Sequence, residues 1–366
     1  LSALISLSDM EKKYGFEKPK NMQGFASLQG ILELPLKMKI KPQEIKYKLS
    51  GVLEDVKISG ETFPYDIKSD ELSLEINKSH LQLNGKVSVG DIPVDIKYIS
   101  GFGKEGSKIT PRIEGKILIS ENILNTLQLG IGSDWLSGSA PAFVFMDFPS
   151  NKNPTFRLTS NLQGLEVRLP DIGWIKNQSA LASLEVLGNI NDGLQYDKFI
   201  ISGEDLEVNV TVNDNKTFVV ERLLRGDILD VSGVVSKDGL KITGGEFNIA
   251  NYLKVIEPNS ERNAGIQVAV DLDRIHITDS LYIDNFSTNF FSDRINGQFN
   301  GLFMGFDPIS GSFTSKRGIS SVEIQSKDAG GFLQLAGLIK KGAEGSLKLS
   351  INRKQKNIEG RLLTED

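Results

Sequence analysis

The chain has 366 residues, a formal net charge of −5, no cysteine and two histidines. The lack of cysteine excludes disulfides, thiolate nucleophiles and zinc–thiolate sites. The interspersed charges lack the cationic cluster that nucleic acid binding needs. Hydrophobic residues make up 39% of the chain, but no run reaches the 18 or more apolar residues that predict a membrane-spanning helix. We therefore expect a folded chain with a core and without nucleic acid as a partner.

Alternation of apolar and polar residues is the dominant pattern, and it predicts strands with one dry face and one wet face. Gly, Asn, Asp and Ser bound these runs, as turns require. Roughly twenty strands fit the chain, at the short spacing of an antiparallel meander. The clearest runs, in chain order, are Leu72/Leu74/Ile76, Leu81/Leu83, Val87/Val89, Leu206/Val208/Val210/Val212, Val268/Val270/Leu272, Ile275/Ile277, Val322/Ile324 and Leu347/Leu349/Ile351.

Helices are few in this pattern. Ser120–Leu129 begins with a Ser at its cap position, residues 251–257 precede Pro258, and Asp328–Ile339 carries an apolar stripe that ends at two lysines and a glycine. The stripe of the last helix should cap the end of the sheet or plug part of a groove, because it must be buried somewhere. No Pro-rich or Ser-rich linker divides the chain, so we expect a single elongated body over residues 1–366.

A short motif of apolar, any, Gly, any, apolar recurs along the chain. A glycine inside a strand often marks a bulge or a bend, so we interpret the motif as the device that lets a long sheet coil. Its copies are LSGVL (49–53), LNGKV (83–87), IEGKI (113–117), VSGVV (231–235), INGQF (295–299), ISGSF (309–313) and IEGRL (358–362).

The segments that match catalytic or cofactor-binding motifs lack the flanking structure that those motifs need. GFGKEG (101–106) matches the dinucleotide fingerprint in spelling, but a strand pattern follows it where the fingerprint needs a helix. His80 and His276 each lie alone in a strand-like stretch, which is typical of surface or structural histidines. We predict a turn at 101–106 and no cofactor.

Four acids, Asp271, Asp273, Asp279 and Asp284, lie close together in sequence. The order of ligands in an EF-hand loop, with glycine at its sixth position, is absent. A carboxylate pair for glycoside hydrolysis forms in space and not in sequence, so that alternative stays open. Solvated acids on the wet faces of strands are the simpler explanation. We predict that the chain binds no metal and is not an enzyme.

Several stretches resemble the AsmA-like family of Gram-negative envelope proteins, in its YhdP-like and TamB-related branch. SKDAGGFLQLAGLIKKGAEGSLKLS (326–350) with IEGRLLTED (358–366) is similar to the C-terminal region of that branch. Further similar segments are LTSNLQGLEVRLPDIG (158–173), LGIGSDWLSGSAPAFVFM (129–146) and LEDVKISG (53–60). The chain departs from the commoner members in its many Lys, Asn and Ile residues and in lacking an N-terminal membrane helix.

The resemblance implies a segment of a bridge-like lipid transfer protein, truncated at both ends. In that family a curled β-sheet forms an open apolar groove that carries phospholipid or other lipid through the periplasm between the inner and outer membranes. The full-length protein would be anchored in the inner membrane by the missing N-terminal helix, with outer-membrane proteins as further partners. The family has no catalytic residues to transfer and no cofactor.

Residues on dry-face positions are the candidates for the lining of such a groove. Exposing a phospholipid with about 30 methylenes to water costs on the order of 25 kcal/mol, at about 0.8 kcal/mol per methylene, so the lining must be continuous. A structural or adhesive β-solenoid with a closed core would show the same alternation and stays an alternative, and an envelope glycosidase or esterase is a third. The predicted lining residues are Leu72, Leu74, Ile76, Leu81, Leu83, Leu206, Val208, Val210, Leu347 and Leu349.

Overall fold

The computed structural model describes residues 21–36, 46–59, 65–101, 106–126, 135–150, 152–191, 193–213, 217–255, 265–316, 319–342, 344–354 and 357–365. Over these residues the fold is mainly β, with 23 strands and three α helices. Hydrogen bonds join the strands in a curled antiparallel sheet that does not close on itself. The predicted fold class, mainly β with a curled antiparallel sheet and few helices, is confirmed.

The strands follow one another along the chain with short connections. The first twelve are β1 Asn21–Glu33, β2 Lys46–Ser59, β3 Ile67–Asn77, β4 His80–Val89, β5 Ile92–Gly101, β6 Arg112–Ser120, β7 Leu136–Asp147, β8 Thr155–Ser160, β9 Leu165–Leu169, β10 Trp174–Lys176, β11 Ser183–Ile190 and β12 Leu194–Ser202. The others are β13 Leu206–Asn213, β14 Thr217–Arg225, β15 Leu229–Ser236, β16 Gly239–Asn248, β17 Gln267–His276, β18 Tyr282–Phe291, β19 Arg294–Phe303, β20 Asp307–Lys316, β21 Ile319–Ser326, β22 Ser346–Lys354 and β23 Asn357–Glu365.

The three helices are α1 Glu121–Thr126, α2 Ile249–Val255 and α3 Ala329–Leu335. The first and third fall in segments that the sequence predicted to be helical, and α2 begins two residues before the predicted segment 251–257. Residues 127–129 of the first prediction and 256–257 of the second lie outside the described part. The third helix is shorter than predicted at its C-terminal end. Its chain turns away at Gly337, whose φ of 72° is left-handed, so Leu338 and Ile339 are not helical.

The described residues divide into two compact units. Unit 1 is formed from Leu1–Val167 and Asn177–Phe199, and unit 2 from Arg168–Lys176 and Ile200–Asp366. The expectation of one elongated body over residues 1–366 stays a prediction.

In unit 1, β1 to β8 pair in chain order as antiparallel neighbours, and β8 then pairs with β11. Local side chains fix the hairpins. At the β3–β4 turn the Asn77 Oδ1 accepts hydrogen bonds from the backbone N–H groups of Ser79 (2.9 Å) and His80 (3.0 Å). The His80 ring lies beside the Asn77 amide and the Ser79 hydroxyl, so this histidine belongs to a turn.

In unit 2, β13 to β16 and β17 to β23 pair as antiparallel neighbours in chain order. The pair β16–β17 is parallel, with Leu240 opposite Val268 and Phe247 opposite Ile275. This pair departs from the antiparallel meander that the sequence predicted. The connection after β16 contains α2 and is long enough to return the chain to the end at which β16 began, as a parallel pair requires.

Candidate apolar binding faces

One face of the unit 1 sheet is apolar. The burial of β3 alternates along the strand, with Leu72 (5% exposed), Leu74 (2%) and Ile76 (6%) buried between exposed polar neighbours. Leu81 and Leu83 of β4 lie opposite Ile76 and Leu74 and are partly exposed against the same cluster. The structure therefore brings these five predicted residues together on one face, as the alternation indicated.

The cross-strand register extends this face across nine strands of the unit. Residues that lie directly opposite each other in neighbouring strands share a face of the sheet. One such line of register partners, the unit 1 row, crosses β1 to β8 and β11 and contains no charged or polar side chain. Its members are Ala26, Leu53, Leu72, Gly85, Ile96, Gly115, Val144, Leu158 and Val186.

Unit 2 has a corresponding line of register partners, the unit 2 row, that crosses all eleven strands from β13 to β23. Its one polar member is Thr288, whose hydroxyl donates a hydrogen bond to the Gln298 backbone carbonyl at 2.7 Å. The members are Val210, Val220, Gly233, Ile242, Val270, Thr288, Phe299, Gly311, Ile324, Leu349 and Leu362.

Many apolar side chains of the unit 2 face keep contact with solvent. The cluster around this face has 12 buried members, among them Leu347 at 2% exposure, and 16 hydrophobic residues that pack against them while partly exposed, among them Leu349. The unit 2 face is thus apolar, with part of its side chains buried and part in contact with solvent.

The three predicted lining residues of β13 differ in burial. Leu206 is buried at 2% exposure, whereas Val208 and Val210 are partly exposed. Val208 lies opposite Leu223, and an extra residue in β14 then shifts the register so that Val210 lies opposite Val220. Val210 thus begins the unit 2 row, while Leu206 and Val208 lie beside it toward the start of the strand.

Glycines of the recurrent motif make room for side chains of the neighbouring strand. A Cβ built on Gly297 would lie 2.9 Å from Cζ of Phe313, and one on Gly85 would lie 2.8 Å from Cδ2 of Leu72. Backbone carbonyls are as close, with the Asn289 oxygen at 2.7 Å and the Glu71 oxygen at 2.8 Å, so a side chain at either glycine would force the neighbouring strand to shift. Register shifts do occur near Gly85 and Gly233, as the interpretation of bulges predicted, but Gly297 lies in regular register with Phe313.

Helix α3 packs on the unit 2 face. Its Phe332 is 5% exposed and stacks on Phe303 of β19, with ring centroids 4.2 Å apart and an interplanar angle of 20°. Asp328 caps the helix, since its Oδ1 accepts a hydrogen bond from the Gly331 N–H at 2.7 Å. Phe332 is thus buried against the sheet and Leu333 and Leu335 are partly buried, whereas Leu338 and Ile339 of the predicted stripe are exposed. Whether it closes the end of a lipid path stays a prediction.

Aromatic residues of this face were missed by the alternation pattern. Phe299 and Phe303 are buried in the unit 2 cluster, yet neither lies in a run of strictly alternating apolar residues. The INGQF and ISGSF motifs were a usable signal for the aromatic residues of β19 and β20. Each motif places a Phe two residues after its glycine, and in the β19–β20 pair Phe299 lies opposite Gly311 while Phe313 lies opposite Gly297.

Charged side chains of unit 2 pair with each other between strands. Arg222 donates to both carboxylate oxygens of Asp230 (2.9 and 2.8 Å) and to Glu207 (2.8 Å). The hydrogen bond from Arg222, with its positive charge, lowers the pKa of the Asp230 carboxyl. Arg274 donates to Asp284 at 2.6 Å and stacks over Tyr282. These pairs tie neighbouring strands together.

The four clustered acids have separate roles in the structure. Asp284 pairs with Arg274, Asp273 accepts a hydrogen bond from the Gly245 N–H at 2.7 Å, and Asp271 and Asp279 are exposed. In the part of the chain that the structure describes, no group of three or more His, Asp or Glu residues is arranged to hold a metal ion. At 101–106, Gly101 ends β5 and residues 102–105 lie outside the described part.

Comparisons with known proteins give no assignment. No family model, no curated protein and no solved structure matches the chain. Among the described residues no helix is long and apolar enough to cross a membrane.

Proposed function

We propose that the chain is a non-catalytic carrier of phospholipid, whose apolar faces cover the acyl chains while the headgroup stays in water. The observation that supports this best is the unit 2 row, which crosses eleven neighbouring strands without a charged side chain. At about 4.8 Å between strands, the row follows the sheet for on the order of 50 Å.

The chemistry of the faces suits a ligand that slides. Aliphatic and aromatic side chains attract acyl chains without fixed direction, so a lipid can move from one strand to the next at nearly constant free energy. The partly exposed members of the unit 2 cluster are free to exchange contact with water for contact with acyl chains. A buried charge on the path would stop such movement.

The cellular context of the proposal rests on the resemblance to the AsmA-like family. By that resemblance the chain works in the periplasm, within a protein anchored to the inner membrane, and passes phospholipid toward the outer membrane with outer-membrane proteins as further partners. The rival reading is a structural or adhesive module with a solid apolar core, which would carry no lipid.

Native mass spectrometry after purification without detergent tests the proposal. Co-purified phospholipid is expected on the wild-type chain, and a lipid-free chain would contradict the proposal and favour the solid core. Ile96→Glu and Lys97→Glu form a matched pair, because both residues belong to β5 and alternate between its faces. We expect lipid to be lost from Ile96→Glu, in the unit 1 row, and kept by Lys97→Glu on the wet face.

A further inference from the structure

An apolar and basic tip projects from one end of the unit 2 strands. It consists of Phe306, in the β19–β20 turn, and of Leu338, Ile339, Lys340 and Lys341, in the connection between α3 and β22. Phe306 is 78% exposed and Leu338 69% exposed, the two highest values for large hydrophobic residues of unit 2. Exposed apolar residues that lie together and next to polar residues often mark an interaction site.

The tip is held in place by hydrogen bonds. The Leu338 N–H donates to the Leu333 carbonyl at 2.9 Å, and the Ala329 N–H donates to the Gly345 carbonyl at 2.8 Å. The connection therefore folds back on α3 at both of its ends. Leu338 is thus exposed on a hydrogen-bonded backbone.

The stacked rings of Phe303 and Phe332 lie beside both parts of the tip. Phe303, which ends β19, stacks on Phe332 of α3. Three residues after Phe303, the Phe306 N–H donates to its carbonyl at 3.1 Å. The turn and the connection therefore lie at the same end of neighbouring strands.

The exposed charges around the tip are positive on balance. Lys340 and Lys341 are exposed, and neither forms an ion pair with a described residue. Lys327 is a further exposed base, and the exposed acids close by in sequence are Asp328, which caps α3, and Glu344. Asp307 is buried at 6% exposure, and burial raises the pKa of its carboxyl.

We propose that this tip docks on the surface of an anionic lipid bilayer, with Phe306, Leu338 and Ile339 entering the interface and Lys340 and Lys341 facing the headgroups. Apolar side chains next to lysines match a bilayer, whose interface offers hydrocarbon just below negative charge. The tip is a different part of the molecule from the apolar faces, so membrane docking can fail or hold separately from lipid carriage.

Sedimentation of the purified chain with phosphatidylcholine vesicles, with and without phosphatidylglycerol, tests the tip. The wild type should bind the anionic vesicles at least about tenfold better than the neutral ones, and added salt should weaken that binding. The double variant Lys340→Glu/Lys341→Glu should lose at least about tenfold of it. Phe306→Ser and Leu338→Ser should each weaken it several-fold.

Matched controls lie at the opposite end of the strands. Phe291 is a 50% exposed aromatic in the same unit, and Lys237 is an exposed lysine in the β15–β16 turn. Phe291→Ser and Lys237→Glu should leave vesicle binding unchanged. Equal losses in tip and control variants would overturn the proposal, as would equal binding to neutral and anionic vesicles. Native mass spectrometry of the same samples reads lipid carriage independently, and the tip variants should keep their bound lipid.

Discussion

Phe313 lies across Gly297, its register partner in the neighbouring strand, so that a Cβ on the glycine would lie 2.9 Å from the ring Cζ. The relationship is reciprocal, because Phe299 lies opposite Gly311 in the same pair of strands. Two large rings thereby fit on one face of a two-stranded segment, each over a position without a side chain. The motif that the sequence repeats is a packing device here.

Gly297→Ala should therefore destabilise the protein. The new methyl group meets both the Phe313 ring and the Asn289 backbone carbonyl, so we expect a loss of about 1–3 kcal/mol in the free energy of unfolding. Gly360→Ala is the control, because Gly360 belongs to the same motif but has no atom within 4 Å of its built Cβ. Chemical denaturation of both variants measures the difference, and equal effects would contradict the packing role.

Two neighbouring dry-face positions of β13 should respond differently to a charge. Leu206 is 2% exposed, so Leu206→Asp buries a carboxylate and should cost several kcal/mol or prevent folding. Val208 is partly exposed, so the carboxylate of Val208→Asp can reach water and the fold should largely survive. Thermal unfolding compares the two.

Lipid content separates the groove from the solid core in the same experiment. If β13 lines a lipid path, the folded Val208→Asp variant should lose co-purified lipid. A folded variant with undiminished lipid refutes the assignment of Val208 to the lining. An unfolded Val208→Asp variant favours the closed-core rival.

The contact between Phe332 and Phe303 should contribute strongly to the stability of unit 2. Phe332→Ala removes a buried ring and should lower the free energy of unfolding by about 3–5 kcal/mol. Leu338→Ala, at an exposed position just after α3, should change it by less than about 0.5 kcal/mol. Urea unfolding followed by circular dichroism gives both values. A small effect of Phe332→Ala would show that α3 is only loosely attached.

Asp307 should make the protein less stable as the pH rises. Burial raises the pKa of its carboxyl above the ordinary 3.8, although the hydrogen bond from Ser326 acts in the opposite direction. The folded state thus keeps the proton to a higher pH than the unfolded chain, and the stability from that proton is lost as the pH rises through the folded pKa. The stability of Asp307→Asn relative to wild type should therefore increase from pH 3.8 upward. A pH-independent difference would contradict this role of Asp307. Asp279→Asn, at an exposed position, is the control variant.

Alternation in the sequence was sufficient to predict the β class of the fold and the apolar faces of its strands. Leu72, Leu74 and Ile76 follow a period of two, and a strand has no other way to bury one side. The helix before β22 was also predictable, because its apolar stripe follows a capping residue. Its early end at Gly337 was not, since the same letters LAGLIKK continue the apolar spacing past the glycine.

Tertiary structure decided which strands are neighbours and which apolar residues are covered. The parallel pairing of β16 with β17 depends on the return path after α2, which no local pattern records. The same dry-face alternation left Leu206 buried and Val208 partly exposed, because burial depends on the side chains that neighbouring strands bring to each position. By itself the sequence determined the side of the strand on which each residue lies, through the two-residue period of the backbone. Only the packing of strands distant in sequence decided what each residue meets there.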